Sequence, residues 1–320
     1  MAPLSPAVPT IQRVAVIGGG TIGASWAALF LARGLAVTLH DPAPGAAERV
    51  REGITRAWPA LAQTGRVVAG ADPGALVVAA SLEAALEQAD FVQENAPERE
   101  AFKIALFQQM DALLPPDVLI ASSSSGLLMS RLQSACAHPQ RCLIGHPFNP
   151  PHLIPLVEVV GGEQTSAEAI ERAMAFYRHL GKHPIRLNKE VPGHIANRLQ
   201  AALWREAVHL AAENVASVAD IDAAVAQGPG LRWALFGPHM TFHLGGGEGG
   251  LQHFMDHLLV PMQAWWDDLG QPELTPELQQ RLVDGVTAEA GNRSLQALAT
   301  ERDTQLGAII AHLQPGDSKA

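Results

Sequence analysis

The sequence predicts an α/β chain in two parts: a doubly wound, mostly parallel sheet with helices over residues 1–188, then an all-helical domain over residues 189–320. Three observations predict it. A β-branched run, Arg13 to Ile17, leads straight into a glycine turn and a long apolar helical stretch, GGGTIGASWAALFLARG. Short apolar runs then alternate with helical patterns as far as Leu187, which is how a parallel sheet is built. Beyond about Pro192 only helical periodicity is left.

The glycine turn comes first. Gly18, Gly20 and Gly23 form G-x-G-x-x-G, in which the first allows a tight turn, the second lets a pyrophosphate touch the backbone, and the third lets helix and strand pack closely. The helix N-terminus then faces the phosphates. A second strand, Leu35 to His40, ends in Asp41, eighteen residues after Gly23, where an acid binds the ribose hydroxyls of a dinucleotide. With that acid and no arginine immediately after it, the Rossmann pattern favours NAD over NADP. Pro44 to Thr64 has helical spacing and stops at Thr64-Gly65. Further strands are expected at Leu76 to Ala80, Phe91 to Gln93 and Val118 to Ala121, with helices at Leu82 to Gln88 and Glu98 to Leu114. Ser122 to Ser125 then sit at the C-terminal edge of the sheet, where such folds bind ligands. No G-x-S-x-G accompanies them, so they read as turn residues rather than a nucleophile.

The stretch with the most chemistry is Arg141 to Val160, RCLIGHPFNPPHLIPLVEVV. Pro147, Pro150, Pro151 and Pro155 fix φ and remove backbone donors, so the segment runs as a stiff loop linking two short strands. Such a loop returns Glu158 to the imidazole of His146. A buried carboxylate on one ring nitrogen sets the tautomer and favours the cation, leaving the other nitrogen to take a proton. The plain alternative is a strand-ending histidine and a solvated glutamate. A helix at Ser166 to Leu180 and a last strand at His183 to Leu187 follow, and Asn188 to Val191 form a hinge. Helices are then expected at Gly193 to Glu213, Val218 to Ala226, Leu251 to Trp266, and Glu277 to Leu313 with breaks. The run Gly245 to Gly250 lacks the Lys-Ser or Lys-Thr of a phosphate loop and reads as a connector between close helices.

Composition excludes several classes. With 48% hydrophobic and 17% charged residues in 320, the chain supports two cores. A formal charge of -10 argues against nucleic acid or an anionic membrane as partner. The two cysteines, Cys136 and Cys142, are spaced unlike metal ligands, so no metal is expected and reduced thiols in a cytoplasm are the default. The start, MAPLSPAVPTIQR, has no apolar signal core, and no run approaches the ~18 apolar residues of a membrane span.

Taken in order, GGGTIG, Asp41, NAPERE, SSSSGLL, GHPFNPP, PLVEVV and VPGHIANRLQAALWREA resemble the L-3-hydroxyacyl-CoA dehydrogenase superfamily along residues 13 to about 312. GLRWALFGP, GGEGGLQHF and RDTQLGAIIAHL are similar to its branch acting on free hydroxy acids such as L-carnitine and L-gulonate, which includes lambda-crystallin. The resemblance implies that His146 is the catalytic base and Glu158 its charge partner. It implies further that Ser125 contacts the substrate oxygen, that Asn197 closes the site, and that Glu98 and Lys103 bind the nicotinamide-side ribose. A homodimer is implied in the same way. Ser123, Ser124 and Gly126 depart from the Asn-Thr-Ser-Ser run usual in acyl-CoA enzymes. Residues 42 to 90 hold no lysine and only Arg49, Arg51, Arg56 and Arg66, a poor grip for CoA phosphates.

Oxidation of a small free L-3-hydroxy acid with NAD is therefore the expected activity. Two alternatives stay open: a short-chain 3-hydroxyacyl-CoA dehydrogenase and a non-catalytic dinucleotide-binding protein of the crystallin kind. A free acid keeps a carboxylate that must meet a cation when buried, and Arg232, among Gly228, Gly230 and Gly237, is the candidate. A surface ion pair is the other reading of Arg232. Trp233 and Phe148, with Phe236, Trp265 and Trp266, offer aromatic surface of the kind that holds a quaternary ammonium, or they pack a core.

Overall fold

The computed structural model describes residues 11–313; the expectation about the extreme N-terminal stretch lies outside the residues described except for its last three. The first strands and helices follow the alternation in the sequence. They are β1 (Arg13–Ile17), α1 (Thr21–Ala32), β2 (Ala36–His40), α2 (Ala46–Gln63), β3 (Val77–Val78), α3 (Leu82–Leu86), β4 (Phe91–Glu94), α4 (Glu100–Leu113) and β5 (Leu119–Ser122). A short helix α5 (Met129–Leu132) precedes β6 (Cys142–Pro147), β7 (Leu156–Gly161), α6 (Ala167–His179) and β8 (His183–Arg186). The eight strands form one sheet in the order β3-β2-β1-β4-β5-β6-β7-β8. All pairs are parallel except β6 with β7, which run antiparallel.

Strand alternation divides the core between the two faces of this sheet. Val14 and Val16 of β1 join α1, α2 and α6 on one face, in a cluster centred on Trp26, Phe30, Phe91, Phe176 and Tyr177. Ala15 and Ile17, the intervening residues, join Ala85, Leu86, Leu106, Phe107 and Met110 of α3 and α4 on the other. Helix α1 is buried continuously from Gly23 to Ala32, which explains why it is apolar all round. Helix α2 is amphipathic and buries Val50, Ile54, Ala57 and Leu61, each about one turn from the next. The expected strand at Leu76 to Ala80 shrinks to the two exposed residues of β3, because it lies at the sheet edge with a single neighbour.

The remaining helices are α7 (Ala196–Ala212), α8 (Val218–Ala226), α9 (Pro229–Trp233), α10 (Pro238–Gly245), α11 (Gly250–Asp268), α12 (Pro276–Ala290) and α13 (Leu295–Leu313). Helix α7 begins three residues later than the expected Gly193, because Gly193 and His194 both take left-handed backbone, with φ 75° and 51°. The glycine run is a connector: a Cβ on Gly246 would lie 1.8 Å from the Gly250 carbonyl oxygen, so only glycine permits this approach of α10 and α11. The described residues up to Asn197, with those from Asp303 onward, make one compact unit, and Arg198–Arg302 make a second. In the second unit large side chains such as Trp204, Leu235, Val260 and Trp265 are more than half exposed. No helix among the described residues is long and apolar enough to cross a membrane.

Candidate active site

The antiparallel step between β6 and β7 sets His146 directly opposite Glu158 in the ladder. A carboxylate only accepts, so the 2.8 Å contact is His146 Nδ1–H donating to Glu158 Oε2. His146 Nε2 is thereby left with its lone pair. His146 is 5% exposed and Glu158 fully buried. The other carboxylate oxygen accepts the N–H groups of Ile195 and Ala196 at 2.8 and 2.9 Å. Burial alone would raise the Glu158 carboxyl, but these bonds and the imidazole outweigh it and hold the group below the ordinary glutamate range. A charged Glu158 is a counter-ion for an imidazolium.

The proline-rich connection that makes this pairing is held by two buried basic side chains. Arg66 Nη1 donates to the carbonyls of His152 and Leu153 at 2.7 and 3.1 Å. Lys182 Nζ donates to Pro151 O at 2.6 Å and also to Ile154 O. Four consecutive carbonyls, which the prolines leave without ladder partners, are thus satisfied from inside. Burial, with Arg66 nearby, pushes the Lys182 ammonium well below the ordinary lysine value. The sequence marked Arg66 only as one of the few cations between residues 42 and 90 and did not single out Lys182, since a lysine before a strand reads as solvated.

Ser125 lies just beyond β5, and its loop is gathered by Glu98. Glu98 Oε1 accepts from Ser124 Oγ at 2.6 Å, Ser125 N at 2.9 Å and Gly126 N at 3.2 Å. Asn197 Nδ2 donates to the Ser125 carbonyl at 3.2 Å, so both residues expected to hold the substrate oxygen belong to one bonded cluster. Lys103 is 1% exposed and ion-paired to Glu94 at 2.7 and 2.9 Å, with Glu98 at 3.8 Å. Phe148 lies edge-on to His146, ring centres 5.4 Å apart.

His194 belongs to the same cluster and had no signal beyond the Pro-Gly turn before it. It is 1% exposed, its ring centre lies 5.2 Å from that of His146, and its Nε2–H donates to Ser124 O at 3.2 Å. A residue with a Cβ held in the left-handed region is strained, and such strain gathers at functional sites. Burial pushes its imidazole below the ordinary histidine value despite the Ser124 bond. Neutral His194 therefore spans the serine loop and the His146–Glu158 pair, whose carboxylate is held by the next two backbone N–H groups.

A second group unflagged in the sequence underlies β6. Tyr177 Oη donates to Gln93 Oε1 at 2.8 Å, and Gln93 Nε2 donates to Ser123 Oγ at 2.9 Å. Their position gave the available signal, since Gln93 ends an expected strand at the ligand edge of the sheet.

The glycine turn fits a dinucleotide. Gly18 has φ 95°, and a Cβ there would lie 2.7 Å from the Asn95 carbonyl carbon. A Cβ on Gly23 would lie 2.0 Å from Gly18 O, whereas one on Gly20 would meet nothing within 4 Å. The first and third glycines are thus required by packing and the second borders open space. No side chain caps the α1 N-terminus, so its free N–H groups suit a phosphate. Asp41 accepts Gly19 N at 2.6 Å and Ala43 N at 2.8 Å, which aligns the acid with the turn.

Arg232 and Trp233 lie in the second unit, on α9, and both are exposed. Arg232 makes no ion pair among the described residues. Trp233, Phe236, Trp265 and Trp266 are 41%, 49%, 60% and 55% exposed, so none is buried in a core among the described residues.

With this geometry in hand, known proteins give close matches. The NAD binding domain of 3-hydroxyacyl-CoA dehydrogenase matches residues 13–191, and that family's C-terminal domain matches residues 193–288. The L-carnitine dehydrogenase of Streptomyces coelicolor is 50% identical over 293 residues, covering 92% of this chain and 92% of its own. The L-carnitine dehydrogenase of Pseudomonas sp. is 45% identical over 315 residues, covering 98% and 97%. Among solved structures, a 5-formyl-3-hydroxy-2-methylpyridine 4-carboxylic acid 5-dehydrogenase, described as an NAD+-dependent dismutase, superposes with a TM-score of 0.83 at 29% identity, covering 95% of this chain and 99% of that one. The 3-hydroxybutyryl-CoA dehydrogenase of Escherichia coli superposes at 0.63 with 30% identity, covering 87% and 57%.

Proposed function

The chain belongs to the 3-hydroxyacyl-CoA dehydrogenase family, and from that premise we propose that it oxidises the 3-hydroxyl of L-carnitine to the ketone. It is an NAD-dependent oxidoreductase acting on CH–OH groups. The observation that carries the chemistry is the buried His146–Glu158 pair with the proton on Nδ1. The free acid substrate rests on the relatives from Streptomyces coelicolor and Pseudomonas sp., L-carnitine dehydrogenases at 50% and 45% identity.

His146 Nε2 takes the hydroxyl proton, and the buried carboxylate of Glu158 stabilises the imidazolium that forms. NAD+, when bound, supplies the hydride acceptor for the carbon. Ser125 and Asn197 orient the oxygen, and their shared cluster supports that assignment. Gly18, Gly20, Gly23 and Asp41 hold the dinucleotide in this reading, and Glu98, backed by Lys103, holds the nicotinamide-side ribose. Arg232 meets the substrate carboxylate, while Trp233 and Phe148 supply aromatic faces for the trimethylammonium group. The domain boundary at 188/189 and a cytoplasmic setting belong to the same proposal. A homodimer is its assembly: apolar side chains this exposed on the second unit are surface that a partner covers.

The test is a comparison of initial rates of NAD+ reduction with L-carnitine, L-gulonate, L-3-hydroxybutyrate and its CoA ester. L-carnitine should give the highest kcat/KM. A higher value with the CoA ester sinks the free-acid assignment.

A further inference from the structure

Cys136 and Cys142 play no part in the proposed oxidation, yet they are the only cysteines in the chain and they lie together. Their sulfurs are 4.0 Å apart, with the Cys142 thiol directed at Cys136 Sγ. The two differ in setting. Cys142 opens β6, is fully buried, is paired with Ile120 in the sheet, and has its carbonyl fixed by Thr165 Oγ1 at 2.6 Å. Cys136 is partly exposed on a turn, where its N–H donates to Gln133 O at 3.0 Å.

We propose that this pair is an oxidation site, at which hydrogen peroxide converts the two thiols to a reversible disulfide within one chain. Cys136 reacts first and Cys142 resolves. The Cys136 sulfur attacks the peroxide oxygen; the S–O bond forms, the O–O bond breaks, and the first water leaves. The Cys142 sulfur then attacks that sulfenic acid; the S–S bond forms, the S–O bond breaks, and the second water leaves. Two thiols lose two electrons and two protons to one peroxide, which becomes two waters.

Geometry assigns the order. The attacking thiol must be reached from solvent and ionise, and only Cys136 is partly exposed. The hydrogen bond from Cys142 favours the Cys136 thiolate, and the nearby Arg141 guanidinium does the same against burial and Asp111. The charge of Asp111 is already shared with Arg141 through contacts at 3.1 and 2.7 Å. While Cys136 is a thiolate, Cys142 keeps its proton, since the hydrogen bond to Cys136 and burial both raise its thiol. Once Cys136 is a sulfenic acid that thiolate is gone, and the Cys142 proton leaves with the sulfenic hydroxyl as the second water. A disulfide needs sulfurs about 2 Å apart. The shortening falls to Cys136, which stands outside the sheet. Five residues separate the two positions, so the resolving thiol is always at hand once the first has reacted.

The experiment uses the full-length reduced protein with stoichiometric hydrogen peroxide. Thiols titrated after denaturation should fall from two to none and return with dithiothreitol. Mass mapping should show the Cys136 and Cys142 peptides joined with loss of two hydrogens. Iodoacetamide should modify Cys136 at least tenfold faster than Cys142 in the folded protein. In Cys142→Ser the Cys136 sulfenic acid should be trapped by dimedone, and in Cys136→Ser the remaining thiol should survive the same peroxide dose. The wild-type measurements need no variant to fold. A titre that stays at two, Cys136 passing to sulfinate without cross-linking, or a bond formed between chains overturns the proposal.

Discussion

Replacing Glu158 by glutamine tests the proton path where the structure constrains it most. One carboxylate oxygen accepts two backbone N–H groups at 2.8 and 2.9 Å, and the other takes the His146 Nδ1 proton at 2.8 Å. An amide has one accepting end and one donating end. The two backbone donors fix the carbonyl oxygen on their side, so the amide nitrogen turns to His146 and Nδ1 has to accept. The ring proton then moves to Nε2, the nitrogen that must take the proton from the substrate. An imidazolium in the transition state also loses its buried counter-charge. A hydrogen bond to a charged group contributes about 1.5–3 kcal/mol, and the wrong tautomer adds to that. A total of about 4 kcal/mol corresponds to a loss of roughly 10³-fold in kcat. The assay is NADH formation with L-carnitine, alongside a direct titration of NAD+ binding, which should not change. Glu158 is held below its ordinary value in the fold. Its contribution to stability is therefore present above the unfolded value of about 4.3 and lost as pH falls through the lower folded value. Glu158→Gln should remove that acid-side slope. A kcat within about fivefold of wild type, with the slope intact, refutes the pairing.

Three further outcomes are expected. Asp41→Ala should weaken NAD+ by at least ~1 kcal/mol and narrow its preference over NADP+, since the acid also anchors Gly19 N; a wild type that prefers NADP+ contradicts the assignment. Arg232→Met should raise the KM for L-carnitine by roughly 10- to 100-fold through lost charged hydrogen bonding, while unchanged kinetics would move the carboxylate site elsewhere. Gly145→Ala should lower the urea midpoint of unfolding, because its Cβ would stand 2.0 Å from the buried Tyr177 hydroxyl and break the bond to Gln93. Overpacking together with an unmet buried polar group costs about 2–5 kcal/mol, and a midpoint unaltered by the substitution rules out that contact.

The sheet was legible in the sequence because its central strands are largely buried and bounded by glycine or helix signals, so Arg13 to Ile17 matches β1 and the expected Leu35 to His40 lies within one residue of β2. The step from His146 to Glu158 was legible because four prolines forbid a helix between them. What those residues rest on was not. Arg66 and Lys182 serve carbonyls far away in sequence, and no local pattern marks a charged residue as internal. His194 was missed because periodicity carries a helix back through Gly193, whereas the left-handed turn there is fixed by tertiary bonds to Ser124 and Glu158. Propensity could not rank Trp233 or Trp265 between core and surface, since their exposure depends on how the second unit folds.

In the proposed function His146, oriented by Glu158, is the base for oxidation of L-carnitine. That role is tested most directly by NADH formation from L-carnitine in wild type and His146→Gln, with NAD+ binding measured on both. Turnover is expected in the wild type and none detectable in the variant, at equal NAD+ affinity. A His146→Gln protein that still reduces NAD+ with L-carnitine at a substantial fraction of the wild-type rate contradicts that role.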